Sequence, residues 1–172
     1  MAKLALKIFF AFILLVPAQA VIFNHLALFN VAVPIVFIYL IIMLPVTLGT
    51  NISTTIGFLA GITLDIFCDT AGVNALAATV LAFARKPVFH LYVSIDDDLA
   101  GRSPSARSMG HASFMKYLVT MVLAYCAMVF TVEAFQFFNF RLLVLRILAS
   151  TVYSFILLYA LDCATARNRD TA

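Results

Sequence analysis

Asp65, Glu133 and Arg146 hold most of the chemistry this chain can offer, because each is ionisable and each falls in or beside an apolar run. Asp65 lies near the end of Ile52–Cys68, a run long enough to cross a bilayer. A charge at the centre of such a helix costs about 2.5–3.5 kcal/mol on insertion scales, so the residue must face protein or water. One reading makes Asp65 a proton- or cation-linked site or a binding contact. The other makes it a structural acid that pairs with Arg146 or caps a neighbouring helix end. The structural alternative carries more weight, since no second acid stands at the spacing of a carboxylate dyad. At 1.5 Å per residue, Asp65 sits roughly 20 Å along its helix. Arg146, one turn inside the last apolar segment, and Glu133, near the end of the one before, fall at similar depth. An intramembrane cluster of Asp65, Glu133 and Arg146 is therefore an expectation. Its competitor is Arg146 snorkelling alone to the interface.

Other chemistry is thin. Asp96-Asp97-Asp98 has the look of a divalent-cation motif of prenyl-diphosphate chemistry, but three acids in a polar loop are more often a solvated face. His25, His90 and His111 are isolated, and there is no HExxH, serine elbow or Walker A pattern. Cys68, Cys126 and Cys163 lack metal-ligand spacing and read as small buried residues. The chain reads as a non-enzyme, with no catalytic residue, metal site or cofactor assigned.

The elements that must position these residues are set by composition. With 65% hydrophobic residues, 11% charged and a mean hydropathy of +1.09, the chain has too few polar groups to cover its apolar ones in water. It reads as an all-α integral membrane protein, a single domain over residues 1–172. Six apolar segments fit a bilayer ruler of about 20 residues: 6–23, 27–44, 52–68, 73–89, 114–135 and 142–161. Asp69-Thr-Ala-Gly72 makes a tight turn, and 94–111 a solvated loop. The basic residues are scattered among the spans, which excludes a nucleic-acid groove.

With the N-terminus inside, nine of the eleven basic residues fall on the cytoplasmic side, leaving Arg141 and Arg146 outside. Both termini are then cytoplasmic. Lys3, Lys7, the run Leu4–Val16 and Ala18-Gln-Ala20 also match a cleavable signal peptide. Retention of the first span is the favoured alternative, and charge bias does not separate the two.

Gly57, Gly61 and Asp65 share one helix face at a spacing of four. Ala71, Ala75, Ala78 and Ala82 form a small-residue stripe expected to pack against those glycines. The glycine face either welds the bundle internally or docks a partner. Arg85 and Lys86 are expected to anchor in cytoplasmic headgroups.

The stretch 39–85 carries a pattern with a resemblance. An apolar helix ends Leu44-Pro45, a polar link follows, then Gly57-Phe-Leu-Ala-Gly61-Ile-Thr-Leu-Asp65-Ile-Phe, then Ala71-Gly72-Val-Asn74-Ala75-Leu-Ala and a long helix. Val132-Glu133 adds to it. This resembles the bacterial rod-shape-determining membrane protein family MreD over about a quarter of the chain. The resemblance implies a compact bundle of about six transmembrane helices, similar to the substrate-binding subunits of energy-coupling-factor transporters. It implies a non-catalytic inner-membrane scaffold of the cell-wall elongation complex. Implied partners are an MreC-like protein, an MreB-like filament, a RodA-like polymerase and a class B penicillin-binding protein. Gly57, Gly61, Asp65, Gly72, Asn74 and Ala75 carry over as motif positions that shape the bundle. Loop 94–111 is longer than the family pattern.

The alternative is a vitamin-binding transporter subunit of the energy-coupling-factor type, which needs an outward cavity lined by groups such as Asp65, Asp69, Asn74 and Glu133. A membrane enzyme ranks third and would need a Mg²⁺-dependent activity lost on alanine substitution of Asp96–Asp98.

Overall fold

The computed structural model describes residues 2–23, 32–93, 104–133 and 140–168. Seven helical elements appear among them: α1 (Ala2–Val21), α2 (Tyr39–Ile42), α3 (Thr50–Cys68), α4 (Val73–Tyr92), α5 (Ala106–Met109), α6 (His111–Glu133) and α7 (Phe140–Asn168). Three of them are long and apolar enough to cross a membrane, Thr50–Cys68, His111–Glu133 and Phe140–Thr165. Large apolar side chains point away from the protein, among them Ile66 at 76% exposure and Leu91 at 75%. Water would reject such a surface, whereas lipid accepts it, so the fold has membrane character.

Helix α4 sits at the centre, against α3 on one side and α6 on the other, with α7 packed on α6. Its inward side is made of small residues, Ala75, Ala77, Ala78 and Ala82, with Leu81 and Phe89 filling the larger gaps. The turn between α3 and α4 is the tight one expected. Asp69 ends α3 in the left-handed conformation (φ 52°) and Gly72 opens α4 at φ 80°, where a Cβ would be strained.

The second apolar segment is a correction. A helix over 27–44 was the expectation, but among the described residues 32–44 only the single turn α2 is helical. Pro34 explains much of it. It offers no N–H, its ring clashes with the carbonyl four residues back, and it biases Val33 toward extended backbone. Val33, Ile35 and Val36 are β-branched and suit that conformation. The segment is nonetheless core: Ile35 to Ile38 and Leu40 to Ile42 are all buried. Non-helical backbone at membrane depth is tolerated only inside protein, and this is where it lies.

Its course follows from its partners. Val33 bonds Ser150 of α7, while Tyr39 reaches Asp162 of the same helix. The backbone has no regular helical bonding from Val33 to Val36, then turns, with the Tyr39 N–H on Val36 O at 3.0 Å, into α2. The segment therefore runs alongside α7 as a crossing of the bundle that is extended before the turn into α2. One end of the bundle gathers the C-termini of α3 and α6 and the N-terminus of α4. The other gathers Arg85, the 44–45 bend and the start of α3.

Part of the expected loop is structured. Ser105 caps α5 in a reciprocal capping box with Ser108, and α6 begins at His111. Asp96, Asp97, Asp98 and Arg102 lie outside the described residues, so the solvated reading of the loop now concerns 94–103 alone. The last helix runs past the expected boundary at 161 to Asn168.

Candidate functional site: the buried polar clusters

The face built by Gly57, Gly61 and Asp65 turns inward. A methyl at Gly57 would lie 2.7 Å from Ala78 O and 2.9 Å from Ala82 Cβ. At Gly61 it would meet Ala75 Cα and Asn74 O, each at 2.5 Å. The glycines therefore let α3 ride on the backbone of α4, with Ala75, Ala78 and Ala82 opposite as expected; Ala71 precedes the helix and is exposed. Gly57→Ala is expected to cost about 1–3 kcal/mol through overpacking, measured as loss of thermal stability in detergent. A variant as stable as the parent would show that α3 and α4 have slack.

That close approach delivers Asp65 to the start of α4. Gly72 occupies the N-cap position and has no side chain with which to cap. Asp65, only 4% exposed, does it from the preceding helix. Its Oδ2 accepts from the Ala75 N–H at 2.8 Å and its Oδ1 from the Asn74 N–H at 3.1 Å. These are the two amides an N-cap side chain ordinarily satisfies, and the helix dipole favours a negative charge there. Oδ1 also accepts from the Thr70 hydroxyl and from Asn74 Nδ2 at 3.0 Å. Tyr125, from α6, donates to Asn74 Oδ1 at 2.7 Å and ties the third helix in. Of the roles considered for Asp65, the cap on a neighbouring helix end is the one realised.

The expected Asp65–Glu133–Arg146 cluster does not form around Asp65, whose oxygens are taken by α4 and its turn. Arg146 is near enough to Glu133, across α6 and α7, for its charge to be felt there, and among the described residues its Nε is buried without a hydrogen-bond partner. The reason is angular. Depth along the membrane placed the three residues level, but Asp65 faces α4 on one side of α6 and Arg146 stands on α7.

Arg85 is a second correction. It was expected in the headgroups, yet it is 1% exposed. Its guanidinium donates to Leu44 O, to Pro45 O at 3.1 Å and to Ser53 Oγ at 3.2 Å. The bend after α2 leaves backbone carbonyls without helical partners inside the bundle, and a fork of five donors suits them. Arg85 thus fastens the bend to α3 and α4.

Gln19, Ser150 and Ser154 escaped the sequence reading. Gln19 is 2% exposed; its Nε2 donates to Pro34 O at 2.8 Å, and its Oε1 accepts from Val36 N–H at 2.6 Å and Phe37 N–H at 3.4 Å. Ser150 and Ser154 accept from Val33 N–H at 3.0 Å and Ile35 N–H at 2.7 Å. Side chains of α1 and α7 therefore supply the hydrogen bonds that a helix would have made within itself. Two serines four apart on an apolar helix were the available signal.

A cavity of about 120 Å³ opens beside these clusters, lined by Gln19, Cys68, Thr70, Asn74 and Glu133 over apolar walls that include Phe37 and Leu64. It has room for roughly four water molecules at about 30 Å³ each. Among the described residues no group of three or more His, Cys, Asp or Glu is placed to hold a metal ion. Compared with protein-family models, curated proteins and solved structures, the chain matches none.

Proposed function

We propose that this chain is a non-catalytic scaffold of the bacterial inner membrane that acts in the cell-wall elongation complex and maintains rod shape by packing against partner membrane proteins. The observation that carries this reading is where the polar groups go. Asp65, Asn74, Arg85 and Gln19 are spent on holding helices and one extended crossing together, while the outward faces of α3 and α7 are apolar. A protein so built offers shape and helix faces to its surroundings. The MreD-like pattern of residues 39–85 supplies the cellular setting. In that setting the bundle has six crossings, both termini in the cytoplasm and a likeness to energy-coupling-factor substrate-binding subunits. Its partners are an MreC-like protein, an MreB-like filament, a RodA-like polymerase and a class B penicillin-binding protein.

The cavity at Thr70, Asn74 and Glu133 favours the second reading, a transporter subunit that binds a small molecule. Its size argues the other way, since small-molecule pockets hold about 300–1,000 Å³ and this one about 120 Å³. A pulldown of the tagged protein at native level in mild detergent, read by mass spectrometry, separates the two. The expected result is an MreC-like coil protein with wall-synthesis enzymes. Recovery of an ATPase pair with a membrane coupling subunit would overturn the scaffold reading.

A further inference from the structure

A second recess lies on the outer surface of the bundle, between the C-terminal end of α4 and the first turns of α6. It is a shallow recess of about 340 Å³, open to the surroundings over most of its extent and lined by Tyr92, Met115, Lys116, Val119 and Thr120. Tyr92 and Thr120 hydroxyls meet at 2.8 Å, and Thr120 donates to Lys116 O at 2.9 Å, which joins α4 to α6 at the recess. Lys116 is exposed, as are Met115, Val119 and Leu123, which follow one another at spacings of four along α6. The groove thus has a cationic mouth and continues into an apolar track.

We infer that this groove is a binding site for an anionic phospholipid, with the headgroup phosphate on the Lys116 ammonium and an acyl chain along Met115, Val119 and Leu123. Three observations point to that occupant. The first is position: Lys116 is the sixth residue of α6, about 8 Å from its start, and helical side chains lean toward the N-terminus. Its amine is therefore aimed out of the hydrocarbon toward the headgroup layer. The second is charge. Asp65, Asp69 and Glu133 all stand at the opposite end of the bundle, and the one described acid at this end, Asp162, is buried against α2. No described carboxylate competes for Lys116 at the surface. The third is the match of parts, since an ammonium beside a hydrocarbon-lined slot is complementary to a phosphate esterified to a fatty chain. Tyr92 adds an aromatic ring with a polar tip at the same level, as membrane interfaces favour.

The test is native mass spectrometry of the full-length protein released from detergent containing equal amounts of phosphatidylglycerol and phosphatidylcholine. The bound-lipid peak is expected to favour phosphatidylglycerol by about fivefold, the effect of one basic residue at an anionic surface. Lys116→Gln is expected to erase that preference, and Lys86→Gln, at the same end but outside the groove, to leave it. Val119→Trp fills the slot while keeping the charge, and is expected to reduce lipid retention of both kinds. Equal retention of the two lipids by the parent would overturn the site. So would a preference that survives Lys116→Gln, or lipid retention unchanged by Val119→Trp, which would reduce the contact to a diffuse surface charge.

Discussion

Alanine at position 65 is expected to cost about 3 kcal/mol or more of stability, because a buried donor left without its acceptor costs about 1–3 kcal/mol and this change strands several. The N–H groups of Asn74 and Ala75, the Thr70 hydroxyl and Asn74 Nδ2 all donate to that carboxylate. Water has poor access to repair the loss, since Asp65 is buried behind the α3–α4 weld. Asp65→Asn is a sharper probe. It keeps the shape but replaces one acceptor oxygen with a donor that confronts the donors already there, so it too is expected to destabilise. The measurement is thermal unfolding in detergent for single and paired variants. Losses from Asp65→Ala and Asn74→Ala are expected to be strongly non-additive, because both break one network. Losses from Asp65→Ala and Arg146→Ala are expected to add, because the two side chains share no partner among the described residues. Strong coupling between Asp65 and Arg146 would restore the ion-pair reading and sink the capping one.

The parts of this arrangement that sequence made legible are those set by a helix's own period. Gly57, Gly61 and Asp65 repeat every four residues, so their common face could be read directly, and the 69–72 turn forced the next helix back along it. Even the cap was among the roles open to Asp65, since a helix end lies one turn away. What sequence hid are contacts between residues far apart in the chain. Gln19 finds its partners 15 to 18 residues on, and Ser150 and Ser154 find theirs 117 and 119 residues back. Nothing local marks those pairs. Hydropathy also cannot tell a buried extended segment from a helix, because both are runs of Val, Ile, Leu and Phe; Pro34 was the one dissenting residue. Arg85 was misplaced for a similar reason. A charge near a span's end defaults to the headgroups unless a kinked neighbour offers carbonyls inside, and the neighbour here is 40 residues away.

Gln19→Leu carries an expected penalty of the same order as the loss of Asp65. Leucine nearly fills the same volume, so packing changes little and the loss isolates the amide. Three bonds disappear, leaving Pro34 O and the N–H groups of Val36 and Phe37 without their protein partner in the buried core. At about 1–3 kcal/mol for each stranded group, the total is about 3–9 kcal/mol, enough to unfold a marginal protein. Ser154→Ala and Ser150→Ala each strand one N–H and are expected to cost about 1–3 kcal/mol apiece, with Ser154 the costlier because its bond is the more buried. Location distinguishes this from general destabilisation. Hydrogen exchange at Ile35, Val36 and Phe37 is expected to accelerate in all three variants, while the amides of α4 beside Asp65 keep their protection. If 35–37 stay protected in Gln19→Leu, the extended crossing is held by its apolar packing and the side-chain bonds are incidental. If they open first, α1 and α7 act as the two rails on which the non-helical crossing depends. Any partner that moves one of those helices would then move the crossing too.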